Sequence, residues 1–403
     1  MKAVVFTLGC KVNEVESAQI LAELDKRGWD TGDELEYADV YVLNTCAVTK
    51  EAERKSRQLV ARALKFNPEA RVYVCGCASE KSAEQFKKQG VAFVAGARSK
   101  EQVVNAVVRD FGGADCDGLG YPKNVKTRAF IKIEDGCNNF CSYCVIPYLR
   151  GRVKSRSVGD IAGEIAACTA PEIVLTGINI SAYDGCEDGL CGLVRALSFT
   201  DKRVRLGSLE CNVIDENLLT ALKNLKDFAP QFHLSLQSGS NAVLRAMNRH
   251  YTREEYLEKC ALIYEYFPNG AITTDIIAGF CGETDSDFND SLAIIEEAGF
   301  ARVHAFAFSP REGTKAFSMP DVPKEIKSER LHRLLEAGKA AAQKYTEKQL
   351  GREYAVISEE FDGGYTCGYT ENYIKTYVVG AHTGKIKVKL LQPFRDGVLA
   401  EII

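Results

Sequence analysis

Short apolar runs alternate with amphipathic stretches along this chain, twice over, and that alternation limits the fold more than any other feature. In residues 1–110 the strand candidates KAVVFTL, DVYVLNT, RVYVC and VAFVAG are separated by helical periodicity at 12–28, 49–66, 80–88 and 100–111. Strands and helices in strict alternation pack as parallel strands with helices over the sheet faces. Residues 1–111 therefore predict an open parallel α/β sheet. Residues 112–127, GGADCDGLGYPKNVKT, are rich in Gly and polar groups and read as a linker. The rhythm then resumes with RAFIKI, EIVLTG, RVRLGS, FHLSLQ, AITTDII and RVHAFAF, separated by helical patterns at 158–168, 190–198, 215–225, 240–267 and 285–298. Six βα units predict a partial (βα)6 barrel whose chemistry gathers at the C-terminal strand ends. With a trailing helix at 324–350, that unit spans 128–350. The short strand-like runs of 351–403, punctuated by GG, DG and TG, predict a small β-barrel. The fold class is α/β.

Composition excludes some classes. Hydrophobic residues make up 46% of the 403 and charged residues 26%, as in soluble globular proteins. No run of eighteen apolar residues is present, so no membrane span is expected. The opening MKAVVFTLGCKVNE reads as a buried strand and not as a signal peptide, so the expected location is cytoplasmic. Fifteen cysteines, an odd number spread through the chain, do not make a disulfide framework in a reducing compartment. They point to metal or redox use, with several left as small buried residues. The net charge of −4 gives no global support for a nucleic-acid partner, so any such surface is local.

Residues 135–157, DGCNNFCSYCVIPYLRGRVKSRS, place Cys137, Cys141 and Cys144 at C-x3-C-x2-C directly after the first barrel strand. A structural zinc site wants a fourth nearby ligand, and VIPYLRGRVKS offers none; a zinc knuckle closed by a distant cysteine is the alternative. Three thiolates on a 4Fe–4S cluster leave one iron open to a substrate or cofactor. A second set follows a different rule. Cys10 follows the first strand in TLGCKVNEVES, Cys46 ends the second in NTCAV, and Cys77 follows the third in CGCAS. Strand C-termini of a parallel sheet share one edge, so these three converge there. Cys75, two residues earlier in the same strand, is expected to point into the sheet.

The three-cysteine motif with Tyr143 before its last cysteine, on a six-fold βα pattern, resembles the radical SAM superfamily. There the unique iron chelates S-adenosylmethionine and the reduced cluster cleaves it to a 5′-deoxyadenosyl radical. Two three-thiol sites, an α/β domain ahead of a partial barrel and a terminal β-module resemble the methylthiotransferase family over nearly the whole chain. The resemblance is carried by TLGCKVNEVES, NTCAVT, GCAS, DGCNNFCSYCVIPYLRG, HLSLQSGS, TDIIAGFCGET and FSPREGT. Cys281 and Cys211 depart from the family by standing where prolines are usual, and Lys154 takes a place often held by Glu; none is a cluster ligand. TLGCKVNEVES looks most like the branch acting on threonylcarbamoyladenosine in tRNA. The other branches act on isopentenyladenosine in tRNA or on a ribosomal-protein aspartate.

The resemblance implies two 4Fe–4S clusters, two equivalents of S-adenosylmethionine, a tRNA anticodon loop as substrate, and an electron donor such as flavodoxin or ferredoxin. It implies Cys10, Cys46 and Cys77 as ligands of one cluster, Cys137, Cys141 and Cys144 as ligands of the other, and a TRAM-like RNA-contacting terminal barrel. Gly177, Glu210, Gln237 and Arg249, at barrel strand ends, are candidates to hold S-adenosylmethionine along with Tyr143. Arg150, Arg152, Lys154 and Arg156 alternate past the cluster loop, as a solvated basic edge or as phosphate contacts. In the terminal module Lys375, Lys385, Lys387, Lys389 and Arg395 interleave with Tyr365, Tyr369, Tyr373, Tyr377 and Phe394, a pattern suited to single-stranded RNA, although Glu359, Glu360 and Asp362 dilute its charge. His233 sits in an alternating strand, as a packed barrel residue or a catalytic one. A two-cluster electron-transfer protein is the reading from another class; the open-iron ligand count and the RNA-like terminal module argue against it.

Overall fold

The computed structural model describes residues 1–116, 118–120 and 127–403; residues 117 and 121–126 of the expected linker lie outside the described residues. Two compact units are present. One comprises Met1–Lys123, Glu134–Lys154 and Arg311–Phe317; the other comprises Asn124–Ile133, Ser155–Pro310 and Ser318–Ile403. The three-cysteine loop therefore groups with the N-terminal sheet, although in sequence it follows a barrel strand.

Among the described residues, the first unit holds a parallel sheet of β1 (Lys2–Thr7), β2 (Asp30–Gly32), β3 (Val40–Thr45), β4 (Arg71–Gly76) and β5 (Phe93–Val94), in the order β2-β1-β3-β4-β5. Its helices are α1 (Lys11–Asp25), α2 (Lys50–Phe66), α3 (Cys77–Lys87) and α4 (Lys100–Asp110). Both sheet faces are covered, which is why the strands read as continuous apolar runs. Val5, Val42, Tyr73 and Cys75 pack with Ile20, Leu24, Val103 and Val107 on one face. Val4, Leu43 and Val74 pack with Leu59, Val60 and Phe86 on the other. The expected helices appear within three residues of their predicted bounds. β2 was not legible: DTG has no apolar run, and it becomes a strand only by pairing at the sheet edge, Lys2 opposite Asp30. The strand order reverses direction between β1 and β3, and a crevice beyond the carboxyl ends at such a switch point is where open α/β sheets bind ligands.

In the second unit β6 (Arg128–Lys132), β7 (Glu172–Thr176) and β8 (Arg203–Leu206) form one ladder, and β9 (Ser208–Leu209), β10 (Gln231–Leu234), β11 (Ala271–Ala278) and β12 (Arg302–Ala307) form another. Only Gly207 separates β8 from β9. Every pairing is parallel, as the six-fold βα pattern requires. Side chains such as Ile131, Ile173, Phe232, Leu234, Ile272 and Ile276 bury their outward faces under the helices. The helix Lys324–Gln349 leads to a closed β-barrel of β13 (Glu353–Asp362), β14 (Tyr365–Thr370), β15 (Lys375–Val379), β16 (Lys385–Phe394) and β17 (Gly397–Ile402).

That terminal barrel is seated through charge and aromatic contacts within the second unit. Glu172, 1% exposed, accepts from Arg205 at 2.8 Å and pairs with Arg128. The Arg205 guanidinium lies 4.6 Å from the Tyr373 ring centroid and that of Arg128 5.4 Å from it. Tyr369 stacks on Tyr373 at 4.6 Å. Tyr369 and Tyr373, expected among RNA-facing aromatics, also join the terminal barrel to β6 and β8 through Arg128 and Arg205, while Tyr373 stays 39% exposed. Among the described residues no helix is long and apolar enough to cross a membrane.

Candidate metal centres

The first triad sits at the carboxyl edge of the N-terminal sheet. Cys10 caps α1 after β1, Cys46 follows β3, and Cys77 opens α3 after β4. Burial pushes the Cys46 thiol up, and the neighbouring sulfurs of Cys77 and Cys10 add to the rise. Burial also raises Cys77, with the Arg150 guanidinium working against it. Two of the three thiols stand at helix N-termini, Cys10 as the cap of α1 and Cys77 as the first residue of α3. Cys75 points the other way: it is fully buried in the core with Tyr73, whereas Cys77, beyond the positive-φ turn at Gly76, packs with the opposite face.

Glycine makes both sets possible. Gly9, Gly76 and Gly136 each immediately precede a candidate ligand and each has positive φ. A Cβ on Gly76 would stand 2.3 Å from the Thr45 carbonyl oxygen, and one on Gly136 would stand 2.1 Å from that of Arg152. Only glycine fits where the chain turns so tightly and passes so close to other backbone.

The second triad lies on a loop tied down at its base. The Cys137 amide donates to the Gly151 carbonyl at 3.1 Å, and the Cys144 amide to that of Cys141 at 3.0 Å. Phe140, between the first two cysteines, takes the left-handed conformation at φ 49. The Ala316 amide donates to the Ser142 carbonyl at 2.7 Å. All three thiols are half-buried. α5 (Ile146–Arg150), opened by Pro147, follows directly.

Among the described residues no three His, Cys, Asp or Glu side chains close on a single metal-ion position. A 4Fe–4S cube does not ask for that, because each thiolate binds a different iron, whereas one zinc ion draws four ligands to a point. Three soft thiols per site, with no carboxylate or imidazole among them, match iron–sulfur chemistry.

The other expected residues divide. Arg150 is a correction: its side chain is 0% exposed and cannot meet a phosphate. Its N–H groups reach Glu16, Asp135, Asn13 and Cys77. Arg156 is also turned inward, to the Glu164 carboxylate and the Lys132 carbonyl, so the alternating basic run is not one edge. Arg152 and Lys154 are exposed. The Arg152 guanidinium stacks 4.4 Å from the Phe140 ring, which meets Tyr148 edge-on, and Tyr148 is 61% exposed. Tyr143 is half-buried in the loop.

At the barrel strand ends, Glu210 and Arg249 form an ion pair at 3.1 Å. Arg249 also donates to the Tyr251 hydroxyl at 2.9 Å. Gln237 has φ 74, with its amide donating to Asp275 and its carbonyl accepting from Ile277. Gly177 follows the end of β7, half-buried. His233 bonds Thr273 at 3.0 Å and Asp275 at 3.2 Å, packed against His304. In the terminal barrel Lys375 pairs with Asp396 at 2.9 Å and lies over Tyr377, while Lys387 is exposed. Sequence reasoning missed Asn13 and Glu16. Their signal was polar residues three apart on the helix that Cys10 caps, on its buried face.

Residues 2–96 match the description "Uncharacterized protein family UPF0004", and residues 131–295 match "Radical SAM superfamily". The chain is 34% identical to the threonylcarbamoyladenosine tRNA methylthiotransferase MtaB of Bacillus subtilis, over 98% of this chain and 96% of that protein. It is 36% identical to the protein of the same name from Chlamydia pneumoniae, over 98% and 97%. A tRNA-2-methylthio-N(6)-dimethylallyladenosine synthase of Thermosipho africanus is 35% identical over 89% and 88%. Among solved structures, the radical S-adenosylmethionine methyltransferase TsrM from Kitasatospora setae superimposes with a TM-score of 0.56 at 13% identity, covering 76% of this chain and 74% of that one, a likeness of fold. Relatives of that identity over nearly the full length, together with the match to the radical SAM superfamily, mean that this chain belongs to the radical SAM methylthiotransferase family.

Proposed function

We propose that this enzyme adds a methylthio group to carbon 2 of N6-threonylcarbamoyladenosine beside the anticodon of tRNA, in the cytoplasm. The observation that carries the reading is a pair of three-thiol sites, one at a sheet switch point and one on a C-x3-C-x2-C loop, in a chain that matches relatives bearing that activity's name over 98% of its length. Relatives named for dimethylallyladenosine match over 89%, which favours the threonylcarbamoyl substrate.

In this reading Cys137, Cys141 and Cys144 hold one 4Fe–4S cluster and Cys10, Cys46 and Cys77 hold the other, each leaving one iron without a protein ligand. An adenine C–H is too weakly acidic for a side-chain base, and the bound cofactors, two clusters and S-adenosylmethionine, supply radical and sulfur chemistry in its place. The chain's own residues do the rest. Gly9, Gly76 and Gly136 fix the tight turns that lead into Cys10, Cys77 and Cys137. The Glu210–Arg249 pair offers an acceptor and a cation at the barrel strand ends, suited to the hydroxyl and carboxylate groups of S-adenosylmethionine, with Gly177 and Gln237 as further contacts, and Tyr143 is a separate candidate on the cluster loop. Arg152, with Lys375 and Lys387 on the terminal barrel, meets RNA phosphates. Reducing equivalents come from a small redox protein of the flavodoxin or ferredoxin class.

Reconstituted enzyme is incubated with tRNA bearing threonylcarbamoyladenosine, tRNA bearing isopentenyladenosine, and the ribosomal protein of the third branch. Mass spectrometry should find a methylthio gain only on the first. Gain only on another substrate rejects the branch; no gain on any, with both clusters loaded, rejects methylthiolation.

A further inference from the structure

Arg150 ends α5, six residues after Cys144, yet its side chain reaches the other triad. Its Nε stands 3.4 Å from the Cys77 sulfur. Nη1 donates to Glu16 at 2.9 Å and to Asp135 at 3.1 Å, and Nη2 to Asn13 at 2.8 Å and Glu16 at 3.2 Å. A guanidinium carries five N–H donors in a fixed planar array, and these partners use all five. Asn13 is itself locked, donating to the Leu8 and Thr45 carbonyls at 2.9 and 3.1 Å, and the Cys10 sulfur lies 3.7 Å from its side-chain oxygen. Lys100 pairs with Glu16 at 3.2 Å. Two cations thus face two carboxylates, so the local charge is offset. What reaches the sulfur is one aimed N–H.

We infer that Arg150 is a positioning residue for the first triad: its Nε–H donates to the Cys77 thiolate and sets the reduction potential of the cluster held there. The inference rests on the cluster assignment proposed above. A hydrogen bond to a ligand sulfur stabilises the more negative, reduced state and raises the potential. The contact also means that the segment carrying the second triad fixes a ligand of the first. A change in the C-x3-C-x2-C loop that displaces α5 would be felt at Cys77.

The test uses the full chain with Cys137, Cys141 and Cys144 replaced by Ala, so that a single cluster of about four irons remains. Absence of iron in that protein rejects the cluster assignment and not this inference alone. With nitrogen-15 arginine incorporated, pulsed EPR of the reduced cluster should show a nitrogen-15 coupling. An iron-loaded protein without that coupling overturns the inference, whatever any variant does. Arg150→Lys keeps a cation for Glu16 and Asp135 but removes the Nε–H. It should abolish the coupling and lower the reduced-to-oxidised ratio at fixed poise about tenfold, about 59 mV for a one-electron couple. Asp135→Asn, which breaks the same network away from the sulfur, should leave the coupling unchanged. A purely structural Arg150 predicts that both variants lose stability and neither moves the potential. If Arg150→Lys holds no iron, the coupling in protein with Arg150 intact decides.

Discussion

Replacing Cys75 and Cys77 by alanine, one at a time, separates the proposed ligand that opens α3 from a core residue two positions earlier in β4. The structure gives the two thiols opposite surroundings. Cys75 is fully buried with Tyr73 and the helix residues Val103 and Val107. Cys77 opens α3 beside Arg150, and its sulfur acts on that of Cys46. Cys75→Ala removes one buried sulfur, a loss comparable to that of a buried methyl group, about 1 kcal/mol. For a unit of this size that lowers the melting temperature by about 2–4 °C. Its iron content should stay at about eight per chain. Cys77→Ala should lose about half of the iron, because one ligand in three is gone from a site with no fourth thiol to replace it, while the C-x3-C-x2-C loop keeps its share. Anaerobic reconstitution, iron and sulfide determination and a thermal melt on both variants are sufficient. Loss of iron in Cys75→Ala with retention in Cys77→Ala would refute the strand-end placement on which the first triad is built.

Three further outcomes are expected. Gly136→Ala should lose the iron of the second triad and retain that of the first, since its Cβ would stand 2.1 Å from the Arg152 carbonyl oxygen at φ 88; iron determination with the first-triad variants as references checks this. Glu172→Gln should destabilise the second unit by about 3 kcal/mol, because it leaves the buried Arg205 without its carboxylate and Arg128 with Glu359 alone. Burial alone would raise the Glu172 carboxyl, but Arg205 and Arg128 hold it below its ordinary value. Its stabilisation is therefore whole above the unfolded value of about 4.3 and is lost as pH falls through the lower folded value, so denaturant melts of the variant should show a shallower acid limb than wild type. Arg152→Gln should raise the KM for tRNA, leave kcat nearly unchanged, and reduce the salt slope of tRNA binding by about 1; an unchanged slope would remove Arg152 from the RNA surface.

Much of the architecture was readable because both faces of each sheet are buried. A strand buried on both sides is an unbroken apolar run, and a helix covering it is amphipathic, so βα units, their order and most of their bounds follow from residue type alone. The cysteines were readable for a related reason: Cys10, Cys46 and Cys77 each stand where an apolar run stops, and parallel strands stop at a common edge. β2 was not readable, since DTG is held as a strand by its neighbour and not by its own side chains.

What tertiary structure decided was the direction of the long polar side chains. Arg150, Arg152, Lys154 and Arg156 look alike in a row of alternating cations. One is wholly buried against Glu16 and Asn13, more than 130 residues away in sequence, one turns to Glu164, and two face solvent. Tyr369 and Tyr373, from a run of aromatics and lysines that reads as an RNA surface, also meet Arg128 and Arg205. A strand's apolar pattern records its own burial, because each residue meets the core directly. The partner of an arginine or a tyrosine is set by which remote carboxylate or ring the fold brings within a few ångströms, and that distance exists only once the chain has folded.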